Sequence, residues 1–226
     1  MILLSMIQKY KIVVFDLDDT LYKEIDFLKS AFRAISYYIQ SRYGIEGLYL
    51  DMIRWYEEGK DVFGEILSFF KLGETKDELV KLYREHYPSI FLDAETESLL
   101  KLISTNRSCV LGLLTDGRIV TQENKIRALG INRYIEKRNT FISEKCGHSK
   151  PDTYSYKMVE SLYPNSDYYY VGDNIEKDFL APNQLGWTSI CLLDDGSNIH
   201  KQNFNLSARF LPNYCIEKIG DLSKLI

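Results

Sequence analysis

The sequence predicts an α/β fold in which a parallel sheet carries helices on both faces. Two observations lead to this prediction. Short apolar runs alternate with helical segments from residue 94 to residue 193, and a long block with helical periodicity follows the first apolar run. Strands that alternate with helices form parallel sheets, because each crossover returns the chain to the same edge. We therefore expect one α/β core that is interrupted after its first strand by a helical insert.

The first strand is predicted over residues 11–15, where KIVVF runs directly into a polar turn. The segment from Lys23 to about His86 has apolar residues at helical spacing. Within it, Thr75 and Glu78 form the sequence pattern of a capping box, which marks the start of a helix.

The rest of the chain divides into further strands and helices. The predicted strands are SCVLGLLT, NTFIS, DYYYVGD and TSICLL, and the predicted helices cover residues 94–104, 119–130, 150–163 and 175–186. Gly130 is expected to cap one of these helices, and Pro151 suits the first turn of another. The tail from Asp194 has weak periodicity and receives no assignment.

This pattern divides the chain into two predicted domains. An α/β core domain comprises residues 1–21 and 91–226, and a helical cap domain comprises residues 22–90. An insertion in a loop leaves the sheet intact. It also lies beside the carboxyl ends of the strands, where ligands bind in open α/β sheets. We therefore expect the insert to control substrate choice, and Lys23, Arg33, Trp55 and His86 are the positions that test this.

Composition restricts the partners of the protein. The net charge is -4 and no Lys/Arg-rich run is present, which disfavours nucleic-acid binding by a broad basic face. No apolar stretch approaches the roughly 18 residues of a membrane span, and MILLSMIQKYK lacks the features of a signal peptide. The four cysteines lie far apart without a C-x-x-C pair, which favours free thiols in a reducing compartment. We expect a cytoplasmic enzyme, monomeric or homodimeric, with neither nucleic acid nor a membrane as partner.

Polar residues follow four of the predicted strands. Because the carboxyl ends of parallel strands share one edge of a sheet, these residues are expected to converge on one crevice. They are Asp16, Asp18 and Asp19 after the first strand, Thr115 and Asp116 after the second, Lys150 in the loop after the third, and Asp173 with Asp178 after the fourth.

Carboxylates clustered in this way repel one another unless a cation lies between them. Asp16 and Asp173 offer the oxygen ligands that Mg²⁺ prefers. Asp16 is also a candidate in-line nucleophile, since aspartyl phosphates are known covalent intermediates. Asp18, two residues away, can protonate a leaving oxygen and then activate a water. The residue types therefore point to phosphoryl transfer.

The remaining polar residues suit a bound phosphate. Thr115 and the backbone N–H groups near Asp116 and Gly117 can donate hydrogen bonds to phosphoryl oxygens. Lys150 adds positive charge for the equatorial oxygens, whose stabilisation dominates this chemistry.

The segments DLDDTL, LLTDG, KPD and GDNIEKD resemble the four ordered motifs of the haloacid-dehalogenase-like phosphatase superfamily. The pattern of that family is D-x-D-x-T, then Ser or Thr, then Lys, then G-D-x₃₋₄-D, and the match spans residues 11 to about 193. The resemblance implies a Rossmann-like core with a helical cap after the first motif. It also implies a Mg²⁺-dependent phosphatase acting on a nucleotide, a sugar phosphate or a similar small phosphomonoester.

The resemblance also assigns roles to single residues. It implies that Asp16 is the nucleophile, Asp18 the general acid and base, and that Thr115 and Lys150 bind phosphate. Asp16 and Asp173 would hold Mg²⁺ through their side chains and Asp18 through its main-chain carbonyl, with Asp178 orienting them or contacting the ion through water. Asp116 is a departure, because family members often carry Asn there. If only its backbone N–H binds phosphate the change is harmless, whereas a side chain aimed at phosphate would repel it.

Four other functions remain open at this point. A phosphomutase would share the core, but the sugar-phosphate mutases of the superfamily carry a His soon after the first motif, and LYKEIDF has none. Dehalogenases lack the acid/base aspartate and the metal carboxylates. In a phospho-accepting signalling receiver the acceptor Asp lies on a later strand and no helical insert occurs. A binding module without activity is disfavoured because no motif residue is missing.

Overall fold

A parallel sheet forms the centre of the computed structural model, which describes residues 9–226. Its strands are β1 (Lys11–Phe15), β2 (Cys109–Thr115), β3 (Thr140–Ile142), β4 (Asp167–Gly172), β5 (Thr188–Leu192) and β6 (Tyr214–Ile216). They lie in the order β3-β2-β1-β4-β5-β6, and all neighbours are parallel. The α/β prediction is therefore confirmed. The expectation about a signal peptide concerns residues 1–11, of which residues 1–8 lie outside the described residues.

Residues 9–226 contain nine α-helices. They are α1 (Glu24–Tyr43), α2 (Leu48–Glu57), α3 (Val62–Phe70), α4 (Lys76–Glu85), α5 (Ala94–Thr105), α6 (Ile119–Ala128), α7 (Ser143–Cys146), α8 (Tyr154–Leu162) and α9 (Leu180–Gln184). None of them is long and apolar enough to cross a membrane. All four cysteines are free thiols.

Strand β1 shows why the strands read as continuous apolar runs. Val13 and Phe15 belong to one buried apolar cluster, on one face of the sheet. Ile12 and Val14 belong to a second cluster, on the other face. Since helices cover both faces of the sheet, the side chains of a central strand are buried whichever face they point to.

The helical insert, α1 to α4, has an apolar cluster of its own. Leu28, Ile35, Met52, Ile66 and Leu79 are among its buried members. The predicted capping box starts α4, where the Thr75 and Glu78 side chains each bond the other's backbone N–H. The division into a core of residues 1–21 and 91–226 and a cap of residues 22–90 stays a prediction.

Hydrogen bonds fasten the end of α4 to helix α6. The hydroxyl of Thr121 donates to the carbonyl of Arg84 at 2.9 Å, and the side-chain amide of Asn124 donates to the carbonyl of Glu85 at 3.1 Å. The insert therefore contacts the sheet domain beside the cleft described below.

Two helices differ from their predicted bounds. The helix predicted over residues 150–163 begins only at Tyr154, and Pro151 lies in the preceding turn rather than in the first helical turn. The helix predicted over residues 175–186 is α-helical only over Leu180–Gln184. Its first part is a turn, in which the Asp178 side chain accepts the backbone N–H groups of the two residues that follow β4, Asp173 and Asn174.

The tail without an assignment contains a strand. A loop follows β5, and the chain then adds β6 to the edge of the sheet beside β5. β6 is only three residues long, with two of them exposed, so it carries too little apolar signal to be found from the sequence.

Candidate active site

The candidate site lies at the edge of the sheet where β1, β2 and β4 end. Strand β1 pairs with β2 on one side and with β4 on the other. The chain therefore adds strands in one direction from β1 to β3 and in the opposite direction from β4 onward. In open α/β sheets, ligands bind in the crevice at such a reversal. A cleft of about 120 Å³ lies here, lined by Asp16, Asp18, Asp19, Glu24, Thr115, Asp116, Lys150, Asp173, Asn174, Lys177 and His200.

Lys150 connects the carboxylates that follow β1 and β4. Its Nζ lies 2.8 Å from Oδ1 of Asp16 and 2.7 Å from Oδ1 of Asp178, and it donates to the hydroxyl of Tyr170 at 3.1 Å. Burial disfavours its charge, but the two carboxylates outweigh that cost and raise the pKa of Lys150 well above its usual value. Lys150 is therefore a fixed positive charge in the cleft.

Asp178 is fully buried, and its two oxygens accept four hydrogen bonds. Oδ2 accepts the backbone N–H groups of Asp173 at 3.1 Å and Asn174 at 2.8 Å. Oδ1 accepts from Lys150 and, at 3.2 Å, from the hydroxyl of Tyr170. Asp178 therefore fixes both the turn after β4 and the ammonium group of Lys150.

Glycine is required at the end of β4 by the close approach of this carboxylate. A Cβ on Gly172 would lie 2.4 Å from Oδ2 of Asp178, well inside van der Waals contact. This close approach explains why the first residue of the Gly-Asp pair in the fourth motif is glycine.

Three carboxylates lie close enough to hold a metal ion. One oxygen each from Asp16, Asp173 and Asp178 lie within 4.8 Å of one another. Because both oxygens of Asp178 are already hydrogen-bonded, Asp16 and Asp173 are the members with ligand capacity to spare. Oxygen donors of this kind suit a hard cation such as Mg²⁺.

The electrostatics of these two carboxyl groups favour a cation. Burial raises the pKa of Asp16 to about 7, with Lys150 offsetting part of the effect and Asp178 adding to it. Burial, followed by repulsion from Asp178 and Asp16, raises the pKa of Asp173 to about 9. A cation between the two would relieve this repulsion and stabilise the ionised forms.

Asp18 accepts hydrogen bonds from the segment between β1 and α1 and from helix α6. The hydroxyl of Tyr22 and, at 2.7 Å, Nζ of Lys125 donate to its Oδ1, and Nε2 of Gln122 donates to its Oδ2 at 3.0 Å. Burial alone would raise the pKa of Asp18, but the charge of Lys125 and these hydrogen bonds hold it below its usual value. These hydrogen bonds fix the orientation of the Asp18 side chain.

Asp19 has a structural role in the first motif. Its Oδ1 accepts the backbone N–H of Glu24 at 2.9 Å, at the start of α1, and its Oδ2 accepts that of Ile199 at 3.1 Å. Asp19 itself has a φ of 53°, in the left-handed region. The third carboxylate of the cluster therefore fastens the insert and the loop after β5 to the end of β1.

The two residues after β2 bond to other parts of the site. The hydroxyl of Thr115 accepts a hydrogen bond from Gln122 at 2.6 Å. Oδ1 of Asp116 accepts the backbone N–H of Lys150 at 3.1 Å. The side chain of Asp116 thus bonds the loop that carries Lys150. Asp116 also lines the cleft.

The loop after β5 supplies residues that the sequence did not indicate. Nδ2 of Asn198 donates to Oδ2 of Asp173 at 3.0 Å, and Oδ1 of Asn198 accepts from Nζ of Lys23 at 3.0 Å. His200 lines the cleft. A loop without periodicity gives no signal for such contacts.

Gln122 and Lys125 were also missed, although α6 carries a signal for them. They lie one turn apart on the helix face that is buried, 1% and 3% exposed. A buried face normally carries apolar residues, so two polar residues there indicate contacts with polar groups of the core.

The insert contributes Glu24 to the cleft. The four test positions have other surroundings: Trp55 is buried in the apolar cluster of the insert, Arg33 lies over the ring of Tyr49, and His86 bonds Ser30. Lys23 pairs with the loop after β5, as above. None of the four lines the cleft described here, so Glu24 replaces them as the position that tests substrate choice.

Comparisons with known proteins identify the family of this chain. The model of the haloacid dehalogenase-like hydrolase family matches residues 10–186. A glyceraldehyde 3-phosphate phosphatase from Methanocaldococcus jannaschii is 27% identical over 204 residues, covering 80% of this chain and 84% of that protein.

Solved structures of similar fold come from the same superfamily. The hydrolase YfnB from Bacillus subtilis, bound to magnesium, has a TM-score of 0.67 at 19% identity, covering 96% of this chain and 98% of that one. A phosphatase from Thermococcus onnurineus has a TM-score of 0.60 at 18% identity, covering 95% and 97%.

The chain belongs to the haloacid dehalogenase-like hydrolase family, as its four motifs predicted. The predicted enzyme class, a phosphoric monoester hydrolase, is confirmed by the family match together with the phosphatase relative.

Proposed function

We propose that this protein is a Mg²⁺-dependent phosphatase that hydrolyses a small phosphomonoester through a phosphorylated Asp16. The observation that carries the proposal is the cluster of Asp16, Asp173 and Asp178, with oxygens within 4.8 Å of one another, against which Lys150 is ion-paired. An acidic group and a fixed cation side by side suit a phosphate that is bound through both a metal ion and a lysine.

In the first step, a carboxylate oxygen of Asp16 attacks phosphorus and displaces the leaving oxygen. Asp18, which enters this step protonated, gives its proton to that oxygen as the bond breaks and is left ionised for the second step. Lys150, the hydroxyl of Thr115 and the backbone N–H of Asp116 stabilise the charge on the phosphoryl oxygens. Thr115 accepts its hydrogen bond from Gln122, so its own proton is available to a phosphate.

In the second step, Asp18 takes a proton from a water, which attacks the phosphorus of the acyl phosphate and regenerates Asp16. The lowered pKa of Asp18 suits this step, because the ionised form accepts the proton. Asp16 and Asp173, with the main-chain carbonyl of Asp18, are the proposed Mg²⁺ ligands, and Asp178 orients them. When bound, Mg²⁺ neutralises the carboxylates and withdraws charge from the phosphate.

The substrate is proposed to be a small phosphorylated metabolite. The volume of the cleft, about 120 Å³, suits a compact leaving group, and the relative from Methanocaldococcus jannaschii is named for a three-carbon phosphate. The Mg²⁺ bound to YfnB supports the choice of metal. We place the enzyme in the cytoplasm, because four free thiols suit a reducing compartment.

The experiment is a screen for phosphate release from a panel of phosphorylated metabolites, with Mg²⁺ and with excess chelator. We expect many turnovers per chain on at least one compact substrate, and loss of turnover in chelator. A single phosphorylation per chain would support a signalling receiver instead, and transfer of the phosphoryl group to a second position of the substrate would support a mutase. Full activity in chelator would contradict the metal assignment.

A further inference from the structure

Lys125 is a buried cation beside the cleft that the four motifs do not include. Its side chain is 4% exposed, and its Nζ lies 2.7 Å from Oδ1 of Asp18 and 3.9 Å from Oε1 of Glu24. The ring of Phe27 lies against it, with its centroid 4.3 Å from Nζ. Lys125 is not among the residues that line the cleft. It therefore contacts Asp18 rather than a substrate.

The two oxygens of Asp18 differ in how firmly they are held. Oδ1 accepts from both Lys125 and the hydroxyl of Tyr22. Among the described residues, Oδ2 accepts from a single donor, Nε2 of Gln122, at 3.0 Å. That amide nitrogen has two hydrogens but three acceptors, since the hydroxyl of Thr115 lies at 2.6 Å and the carbonyl of Asp116 at 2.9 Å. Its hydrogen bond to Oδ2 can therefore be released without leaving Gln122 unpaired.

The amide orientation of Gln122 follows from the same contacts. Two of the three neighbours, the carboxylate of Asp18 and the carbonyl of Asp116, can only accept hydrogen bonds, so the nitrogen must face them. Within the described residues, Oε1 of Gln122 has no hydrogen-bond partner. The donor side of the amide is thus directed at the site.

We propose that Lys125 is a positioning residue that holds Oδ1 of Asp18 and so presents Oδ2 to the leaving group. This inference rests on the proposed function, in which Asp18 exchanges a proton with the leaving oxygen. Without Lys125, Tyr22 still donates to Oδ1 of Asp18, but the Asp18 side chain rotates among several orientations. Only some of these bring Oδ2 to the leaving oxygen.

The test compares two substrates whose leaving groups differ in their need for a proton. Nitrophenol leaves readily as an anion, whereas an alkyl alcohol such as glycerol does not. General acid catalysis contributes about 10²–10⁴-fold in rate. We expect Lys125→Met to lower kcat/KM for glycerol phosphate by at least about tenfold more than for nitrophenyl phosphate. Lys125→Arg, which keeps the cation, should restore part of this difference.

Arg127→Met is the matched control. Arg127 lies two residues further along α6 and is exposed, so its loss removes a cation from the same helix without touching Asp18. It should leave the ratio of the two kcat/KM values unchanged. If Lys125→Met lowers both substrates by the same factor, Lys125 does not act on proton transfer and the inference is wrong.

A double-mutant cycle tests whether Lys125 acts through Asp18. In an Asp18→Asn background the proton donor is already lost, so adding Lys125→Met should leave the substrate ratio unchanged. An equal change of the ratio in both backgrounds would overturn the inference.

Tyr22→Phe covers the case in which Lys125→Met does not fold. It removes the second donor to Oδ1 and conserves the ring, and it should change the substrate ratio in the same direction. An unchanged ratio in this variant would also overturn the inference. Failure of the proposed function is a separate result, since it would appear in the wild type as turnover without a phosphorylated Asp16.

Discussion

Nζ of Lys150 lies 2.7 Å from Oδ1 of Asp178, and both side chains are buried. Asp178 is the farthest motif residue from the first carboxylates in the sequence, yet it fixes the lysine that pairs with Asp16. The site is therefore one connected set of charges rather than a group of independent ligands. Removing any member changes the charge balance of the others.

Asp178→Ala should lower the free energy of unfolding by about 3–5 kcal/mol, because it removes one of the two carboxylates that pair with the buried Lys150 and leaves two backbone N–H groups without their acceptor. Urea unfolding measures this change. Asp167→Ala is the control, since it removes a carboxylate from an exposed pair with Lys9 and should cost about 1 kcal/mol or less. Equal losses in the two variants would contradict the structural role of Asp178.

Gly172→Ala should destabilise the protein by about 1–3 kcal/mol, because the added methyl group overlaps Oδ2 of Asp178 and forces the carboxylate or the strand to shift. Gly73→Ala is the control, since a Cβ there would meet only the hydroxyl of Tyr43 at 3.5 Å. The measurement is again urea unfolding. Unfolding curves for Gly172→Ala that coincide with the wild type would mean that β4 and Asp178 do not approach as closely as described.

The metal-free protein should lose stability as pH rises, and Asp173 should account for part of the loss. Its carboxyl has a pKa of about 9 when folded, against 3.8 as a free side chain. The folded state therefore binds this proton more tightly, and the free energy of unfolding falls between pH 3.8 and about 9. Mg²⁺ binds the ionised form, so it should raise the Tm more at about pH 9 than at about pH 6.

Thermal unfolding with chelator and with Mg²⁺, in the wild type and in Asp173→Asn, checks this expectation. The amide does not titrate, so the variant should show a weaker pH dependence and a smaller shift on adding Mg²⁺. If the variant retained the full Mg²⁺ shift, Asp173 would not be a ligand.

Glu24→Gln should change kcat/KM by different factors for two substrates found in the screen. Glu24 is the insert residue that lines the cleft, and burial followed by repulsion from Asp18 raises its pKa to about 7. The substitution removes its charge and conserves its shape. Glu46→Gln, at an exposed position of the insert, is the control and should change neither substrate. Identical factors for both substrates would show that Glu24 does not distinguish leaving groups.

Much of the fold and the core of the site were predictable from the sequence. The alternation of strands and helices placed β1 to β5 correctly, because buried parallel strands are short apolar runs with polar residues at their carboxyl ends. The same rule brought Asp16, Thr115, Lys150 and Asp173 together. Their individual roles remain proposals.

The contacts that connect these residues were not predictable. Gln122, Lys125 and Asn198 act through side-chain distances that no spacing rule specifies. The helix that was predicted to contain Asp178 begins only at Leu180, because the Asp178 carboxylate bonds the turn after β4. Asp19, which the sequence groups with Asp16 and Asp18, bonds the start of α1 and the loop after β5.

The central claim is that the phosphoryl group passes through Asp16. The most direct test is rapid acid quench of the Asp18→Asn variant during turnover, followed by mass spectrometry of its peptides. This variant lacks the group that activates water, so the intermediate should accumulate, and one phosphoryl group should be found on the peptide containing Asp16. In Asp16→Asn, this peptide should carry no phosphoryl group, and kcat should fall by several powers of ten. Phosphate released over many turnovers with no phosphorylated Asp16 peptide, or with the group on another residue such as His200, would contradict the account.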